Sequence, residues 1–324
     1  MTKQKPWYKK TGFIICLIII IMLILLLIYS TNKKQTTTQA VIQPTPASEA
    51  QISQTTPYEG PTDSTAQDQQ DESKVNLARL KEFISKIQDK PLDTTSLDAA
   101  INQIINDNKD IAFGVSINYI NNGQILNYGN TSAMTAASIT KVLTAADYYK
   151  QVELGHKSLD TIMANGKSAQ FNIEQMIVVS NNDSWHLLNE DLTYEQMQQY
   201  AGSIGLTSYN YIDNTISPSD TTKLLSDMYQ RLLINEANTQ QLLSYMERAN
   251  YRDLIIPAVP ATDTVYHKAG EYNGYLHDTT IITNSVDTIV LTIFTRTTQS
   301  YDKSRVATLM QQITTPTLET FHLN

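Results

Sequence analysis

The chain has 324 residues, a net charge of −8 and 41% hydrophobic residues. This permits one large domain with appendages, or two modest ones, and a sizeable core. The acidic balance leaves no broad basic surface, which argues against nucleic-acid binding through phosphates. A single cysteine, Cys16, rules out an internal disulfide and a cysteine-ligated zinc site. The five histidines show no His-x-x-x-His spacing, so a zinc hydrolase is not expected and no metal or cofactor is assigned.

From Phe13 to Tyr29 every residue is apolar, aromatic or Cys16. That run is close to the ~20 residues a bilayer-spanning helix needs, and no Ala-x-Ala cleavage site follows it. Cys16 lacks the small residue that normally precedes a lipidated cysteine. Lys3, Lys5, Lys9 and Lys10 precede the run, and only Lys33 and Lys34 follow it closely. The positive-inside rule then leaves a cytoplasmic tail over 1–11, a single-pass anchor over 12–30 and an extracytoplasmic remainder at the cell membrane. Residues 31–74 are mostly Thr, Gln, Ser and Pro up to Glu72. They read as a disordered linker with a reach of roughly 35 Å.

Residues 75–91 predict an accessory amphipathic helix, with Leu77, Leu80, Phe83, Ile84 and Ile87 on one face and Pro91 as its stop. The main domain is placed at 92–324. Leu97, Ile101, Ile104 and Ile105 mark a second helix. Ile111–Ile120 and Gln124–Tyr128 read as two strands joined at Asn121-Asn122-Gly123, a strong hairpin signal. Ser138 to Met246 is helical by pattern, including one helix around Asn189–Tyr200. Ile281–Thr283 and Thr288–Thr295 are β-branched strands, and Arg305–Phe321 is a closing helix. Strands at both ends with helices between predict an α+β domain: one antiparallel sheet built from both chain ends, with an inserted helical lobe.

Three short motifs follow in order: Ser138-Ile139-Thr140-Lys141, Ser180-Asn181-Asn182 and Lys268-Ala269-Gly270. Singly each is weak, since Ser-x-x-Lys recurs at Ser30–Lys33 and Ser300–Lys303, and Ser-x-Asn at Ser116–Asn118 and Ser208–Asn210. Ser138 opens a helical run, where serine is also the ordinary N-cap. Lys141, three residues on, shares its helix face and as a neutral amine could take the serine proton. That requires a pKa lowered by burial or by a second cation. Ser180-Asn181-Asn182 is either turn chemistry or a relay hydroxyl with an amide that orients Lys141 and holds substrate. Lys268 on a strand is either a solvated side chain or a fixed cation for a substrate carboxylate. Gly270 would let a ligand approach the backbone closely.

Together, in this order, the motifs resemble those of class A serine β-lactamases and penicillin-binding proteins. Phe113–Ile120, Asn214-Thr215-Ile216-Ser217-Pro218 and Gly274-x-x-His277-Asp278 also look familial, and the likeness runs from Leu97 to Leu323. The resemblance implies Ser138 as nucleophile, Lys141 as general base and Ser180 as proton relay. Asn182, Lys268, Ala269, Gly270 and Glu271 would bind substrate, a β-lactam or a peptidoglycan-like peptide. The N–H groups of Ser138 and Glu271 would form the oxyanion hole.

The pattern is incomplete. Class A β-lactamases carry an omega-loop glutamate that activates the deacylating water, and no glutamate lies between Gly205 and Pro218. Glu190 and Glu195 come too early, and Asp213 is the nearest carboxylate. The loop's usual aspartate appears as Asn214, and the asparagine after the second motif as His186. Glu271 adds negative charge beside the expected substrate carboxylate. The sequence therefore supports a monomeric serine hydrolase or acyltransferase that acylates readily and deacylates slowly. A D,D-carboxypeptidase or esterase, and a non-catalytic wall-binding or sensor domain, are the alternatives.

Overall fold

The computed structural model describes residues 92–297 and 301–323. The anchor, the linker and the helix expected over 75–91 lie outside these residues. Among the described residues no helix is long and apolar enough to cross a membrane.

Helix α1 (Thr95–Asp107) comes first, burying Leu97 and Ile101, one turn apart. Strands β1 (Ile111–Tyr119) and β2 (Gln124–Gly129) form the expected hairpin, with Gly123 at φ 73° in its turn. The short strand β3 (Met134–Thr135) leads into helix α2 (Lys141–Glu153). Helices α3 (Ala169–Val178), α4 (Asn182–Leu192) and α5 (Tyr194–Ser203) complete much of the helical lobe. Strand β4 (Thr215–Ile216) pairs with β3. Helices α6 (Pro218–Tyr229) and α7 (Glu236–Glu247) follow, then strands β5 (Thr264–Tyr272), β6 (Tyr275–Thr283) and β7 (Thr288–Thr297), and helix α8 (Lys303–Thr320).

The five long strands form one antiparallel sheet in the order β2-β1-β7-β6-β5, so strands from both chain ends share it and β5 lies at an edge. Each face of the sheet carries a core. On one face, Phe113, Val115, Ile117, Leu291 and Ile293 pack with Leu97 and Ile101 of α1 and Val306, Met310 and Ile313 of α8. On the other, Ile281, Val290 and Phe294 join a cluster from the helical lobe that includes Leu143, Ile177, Leu225 and Leu242. Burying both faces with such residues supplies the hydrophobic free energy that holds the two chain ends together.

Three local expectations change. Ser138 does not open a helix: α2 starts at Lys141, and Ser138 sits in the turn before it. The single helix expected around Asn189–Tyr200 is two, broken at Thr193, whose φ of 70° is incompatible with helix and whose side chain caps α5 through the Gln196 N–H. Strand β6 begins at Tyr275 rather than Ile281. Its first half, rich in polar residues, is nonetheless buried, because its threonines find partners inside. Thr279 bonds Thr292 at 2.8 Å, Thr222 of α6 bonds the same Thr292 at 2.8 Å, and Thr295 donates to the Leu276 carbonyl at 2.6 Å. Hydropathy alone hides such a strand, since satisfied hydroxyls cost little to bury.

Gly129 ends β2 at φ +70°, and a Cβ there would lie 2.2 Å from the Phe113 carbonyl oxygen. An L residue pays about 1–2 kcal/mol for that conformation before any clash. Gly129→Ala is therefore expected to lower the thermal midpoint by about 3 °C or more in calorimetry. An unchanged midpoint would show that the hairpin end relaxes freely.

Candidate active site

The turn carrying Ser138 is held from two sides. On one side, Asn214 grips it three times: its carbonyl accepts the Ala136 N–H at 2.8 Å, its Nδ2 donates to the Ala137 carbonyl at 2.9 Å, and its Oδ1 accepts the Thr140 hydroxyl at 2.6 Å. Ala137 is fixed at φ 51°, a sparsely populated region for a non-glycine residue. On the other side, His277 of β6 donates through Nε2 to the Thr135 carbonyl at 2.8 Å, while its Nδ1 accepts the Thr295 N–H at 3.1 Å. The ring stacks on Phe294 at 4.1 Å between centroids. With one nitrogen donating and the other accepting, the imidazole is neutral, and burial pushes its pKa down to about 4.

Lys141 is fully buried. Its Nζ lies 3.0 Å from Ser138 Oγ, 2.6 Å from the Ser180 carbonyl, 3.1 Å from Ser180 Oγ and 2.7 Å from Asn182 Oδ1. The Trp185 ring sits 5.2 Å away as a further wall. The carbonyl and the amide oxygen can only accept, so they take two N–H groups. A neutral amine then keeps its lone pair for a serine hydroxyl. Burial favours that neutral form, lowering the Lys141 pKa to about 8.

Ser180 occupies the turn between α3 and α4 at φ 57°. Asn181 caps α4 by accepting the Ser184 N–H, which leaves Asn182 on the first turn to face Lys141. Lys268, 1% exposed on β5, donates to Ser180 Oγ at 3.0 Å and to the Ala269 carbonyl at 2.8 Å. Burial, then the positive charge of Lys141, pushes its pKa down to about 7. Ser138, Lys141, Ser180 and Lys268 thus form one continuous hydrogen-bonded chain along which a proton can move.

At Gly270 the edge strand closes on the nucleophile turn. A Cβ there would lie 3.0 Å from the Ala136 carbonyl and from the Ser138 nitrogen, so a larger residue would push the turn back by a few tenths of an ångström. Among the described residues the Ser138 N–H meets no acceptor, which leaves it free to serve a developing oxyanion. An open cleft of about 490 Å³ lies in front, lined by Ser138, Ser180, Asn182, Ala269, Gly270 and Glu271. Tyr251, Leu254, Leu276 and Lys303 complete its lining.

All eight sequence-predicted residues therefore converge, though not all face the cleft. Lys141 and Lys268 lie behind it, buried, and Lys268 is bonded to Ser180. Glu271 does face the cleft, and it is the one carboxylate among the described cleft-lining residues. Asp213 is exposed in the loop before β4. Glu190 pairs with His186 in solvent. Among the described residues no cluster of histidines, cysteines and carboxylates is arranged to hold a metal. Asn214 and His277 were legible only as familial positions, and their grip on the turn is a tertiary fact. Lys303 and Tyr301 gave no signal at all.

A serine–lysine pair set between an antiparallel sheet and a helical lobe defines the β-lactamase-like serine hydrolase fold. The chain belongs to the beta-lactamase enzyme family, whose model matches residues 96–321. Solved structures agree on the fold. An ancestral class A β-lactamase matches at 18% identity with a TM-score of 0.65, over 69% of this chain and 100% of its own. PBP-A matches at 20% identity and a TM-score of 0.64, over 71% of this chain and 98% of its own. A mutant of PBP-A, captured as an acyl-enzyme complex with penicillin G, matches at 20% identity with the same score, over 69% and 96%. None of the curated proteins gives a significant sequence match.

If the neutral amine of Lys141 serves as the base, the rate of modification of Ser138 by an activated ester should rise about tenfold per pH unit below pH 8 and level off above it. Lys141→Ala should lower the plateau by about 10²–10⁴. A flat profile from pH 6 to pH 9 would remove Lys141 from that role.

Proposed function

We propose that this protein is a membrane-anchored, extracytoplasmic serine acyl-transfer enzyme that forms an acyl-enzyme on Ser138 with β-lactams or peptidoglycan-type peptides and releases it slowly. The observation that carries the reading is the buried Lys141 amine 3.0 Å from Ser138 Oγ. In the first step Lys141 takes the Ser138 proton as Oγ adds to the substrate carbonyl. The N–H groups of Ser138 and Glu271 receive the oxyanion, a contribution typically of about 3 kcal/mol per donor. The C–N bond then breaks, and its nitrogen takes a proton from the Ser180 hydroxyl. Lys141 returns the proton it accepted to Ser180 along the 3.1 Å contact.

Deacylation needs a second activated nucleophile, a water or an amine. The segment from Gly205 to Pro218 offers no glutamate for this, and among the described residues Lys141 is the base bonded to Ser138 Oγ. Losing a dedicated base typically costs about 10²–10⁴ in rate. This favours a transferase, a slow D,D-carboxypeptidase or a single-acylation sensor over an efficient antibiotic-destroying enzyme. The penicillin acyl-enzyme of PBP-A, a structure of the same fold, is in keeping with it.

A fluorescent penicillin should label the purified protein, with the intact mass rising by that of the whole antibiotic, and the label should persist for minutes or longer. Ser138→Ala should abolish it. Rapid multiple turnover would mean that an unassigned base activates water. Absence of label with any β-lactam or activated ester would favour the non-catalytic reading.

The proposed topology rests on the run Phe13–Tyr29 and the four lysines before it. Protease added to intact cells is expected to degrade the domain. Cleavage only after lysis would reverse the orientation.

A further inference from the structure

The acyl-transfer reading leaves open what chemistry the substrate carries beside the bond that breaks, and the charges around the cleft bear on this. Lys268, the cation expected to receive a carboxylate, is 1% exposed, does not line the cleft, and already donates to Ser180 Oγ and the Ala269 carbonyl. Ala269 beside it is 4% exposed and has no side-chain donor for an anion. The next residue facing the cleft, Glu271, is 40% exposed and carries a negative charge.

Glu271 is not loose. Tyr301 donates to its Oε1 at 2.8 Å, and Lys303 stands 3.4 Å from its Oε2. Lys303 is the cation of the cleft lining, but it is shared. Its Nζ is also 3.4 Å from Asp253 Oδ2 and lies 5.3 Å from the Tyr251 ring. Two carboxylates and one ammonium leave this end of the cleft with one net negative charge. A ligand carboxylate entering there would meet Glu271 and would compete with two carboxylates for one lysine. An amide would meet acceptors for its N–H groups, and an ammonium would find a carboxylate.

We propose that Glu271, braced by Tyr301 and Lys303, is a specificity-determining residue that makes the enzyme prefer acyl donors with an uncharged amide or an ammonium beside the scissile bond over donors with a free carboxylate there. The inference rests on the acyl-transfer reading and names its substrate class. On this view amidated peptides are the better peptide substrates, and penicillins, which carry a carboxylate next to the ring nitrogen, label the enzyme below the rate their ring reactivity allows.

The test uses penicillin G and its carboxamide, each rate of Ser138 acylation divided by that compound's rate of alkaline hydrolysis. The full-length protein should favour the carboxamide by about tenfold or more, the factor expected of one like charge at a partly solvated site. Glu271→Gln should shrink that ratio toward unity. Lys303→Ala, which leaves both carboxylates uncompensated, should enlarge it. A wild-type preference for the free acid, or a Lys303→Ala variant that loses acylation by the acid alone, would overturn the inference and make Lys303 a carboxylate receptor. Acyl transfer would still stand. If neither compound acylates Ser138, the acyl-transfer reading fails. Calorimetric binding of the same pair to the Ser138→Ala protein then decides the selectivity, with tighter binding of the acid overturning it.

Discussion

The arrangement depends on one constraint: the Lys141 amine is removed from water and must still be satisfied. Burying an ammonium without partners costs several kcal/mol even after relaxation. The fold meets this with two oxygens that can only accept, the Ser180 carbonyl and Asn182 Oδ1, and with two serine hydroxyls that can do either. The Ser180 carbonyl reaches Lys141 because Ser180 adopts a positive φ, and Asn182 does so because Asn181 has taken the capping role. Small conformational costs in that turn thus fix the environment of the Lys141 amine in the helix opposite.

The nucleophile turn is held in a similar way, by groups that do not take part in the chemistry. Asn214 reaches across from the loop before β4, and His277 from the middle of the sheet. The neutral ring of His277 matters here. A second proton on the imidazole would turn the Nδ1 acceptor into a donor facing the Thr295 N–H, so the strand geometry excludes the charged form near neutral pH. The sheet therefore supplies three things at one place: the brace on the Thr135 carbonyl, the edge strand with Gly270, and the second lysine.

Two buried lysines joined through one serine hydroxyl set the electrostatics. Burial pushes both toward the neutral form, and the positive charge of Lys141 adds to the effect on Lys268. The pair lies behind the cleft, whose lining carries Glu271 and Lys303, the latter shared with Asp253.

The sequence alone determined the class of fold, because strand patterns at both ends and helical periodicity between them leave few ways to bury every apolar face. It also picked out residues that meet in the fold: Ser138, Lys141, Ser180, Asn182 and Lys268 are recognisable by type, spacing and order. What it could not contain was direction. Whether Lys268 reaches Ser180 depends on which side of β5 meets the helical lobe, and that is settled by packing between segments 88 residues apart. The polar first half of β6 was invisible to hydropathy because its hydroxyls find partners only once α6 and β7 are in place. The grip of Asn214 and His277 and the bracing by Tyr301 and Lys303 were hidden for the same reason. Their roles are contacts between distant parts of the chain, and a contact has no residue type of its own until the chain has folded.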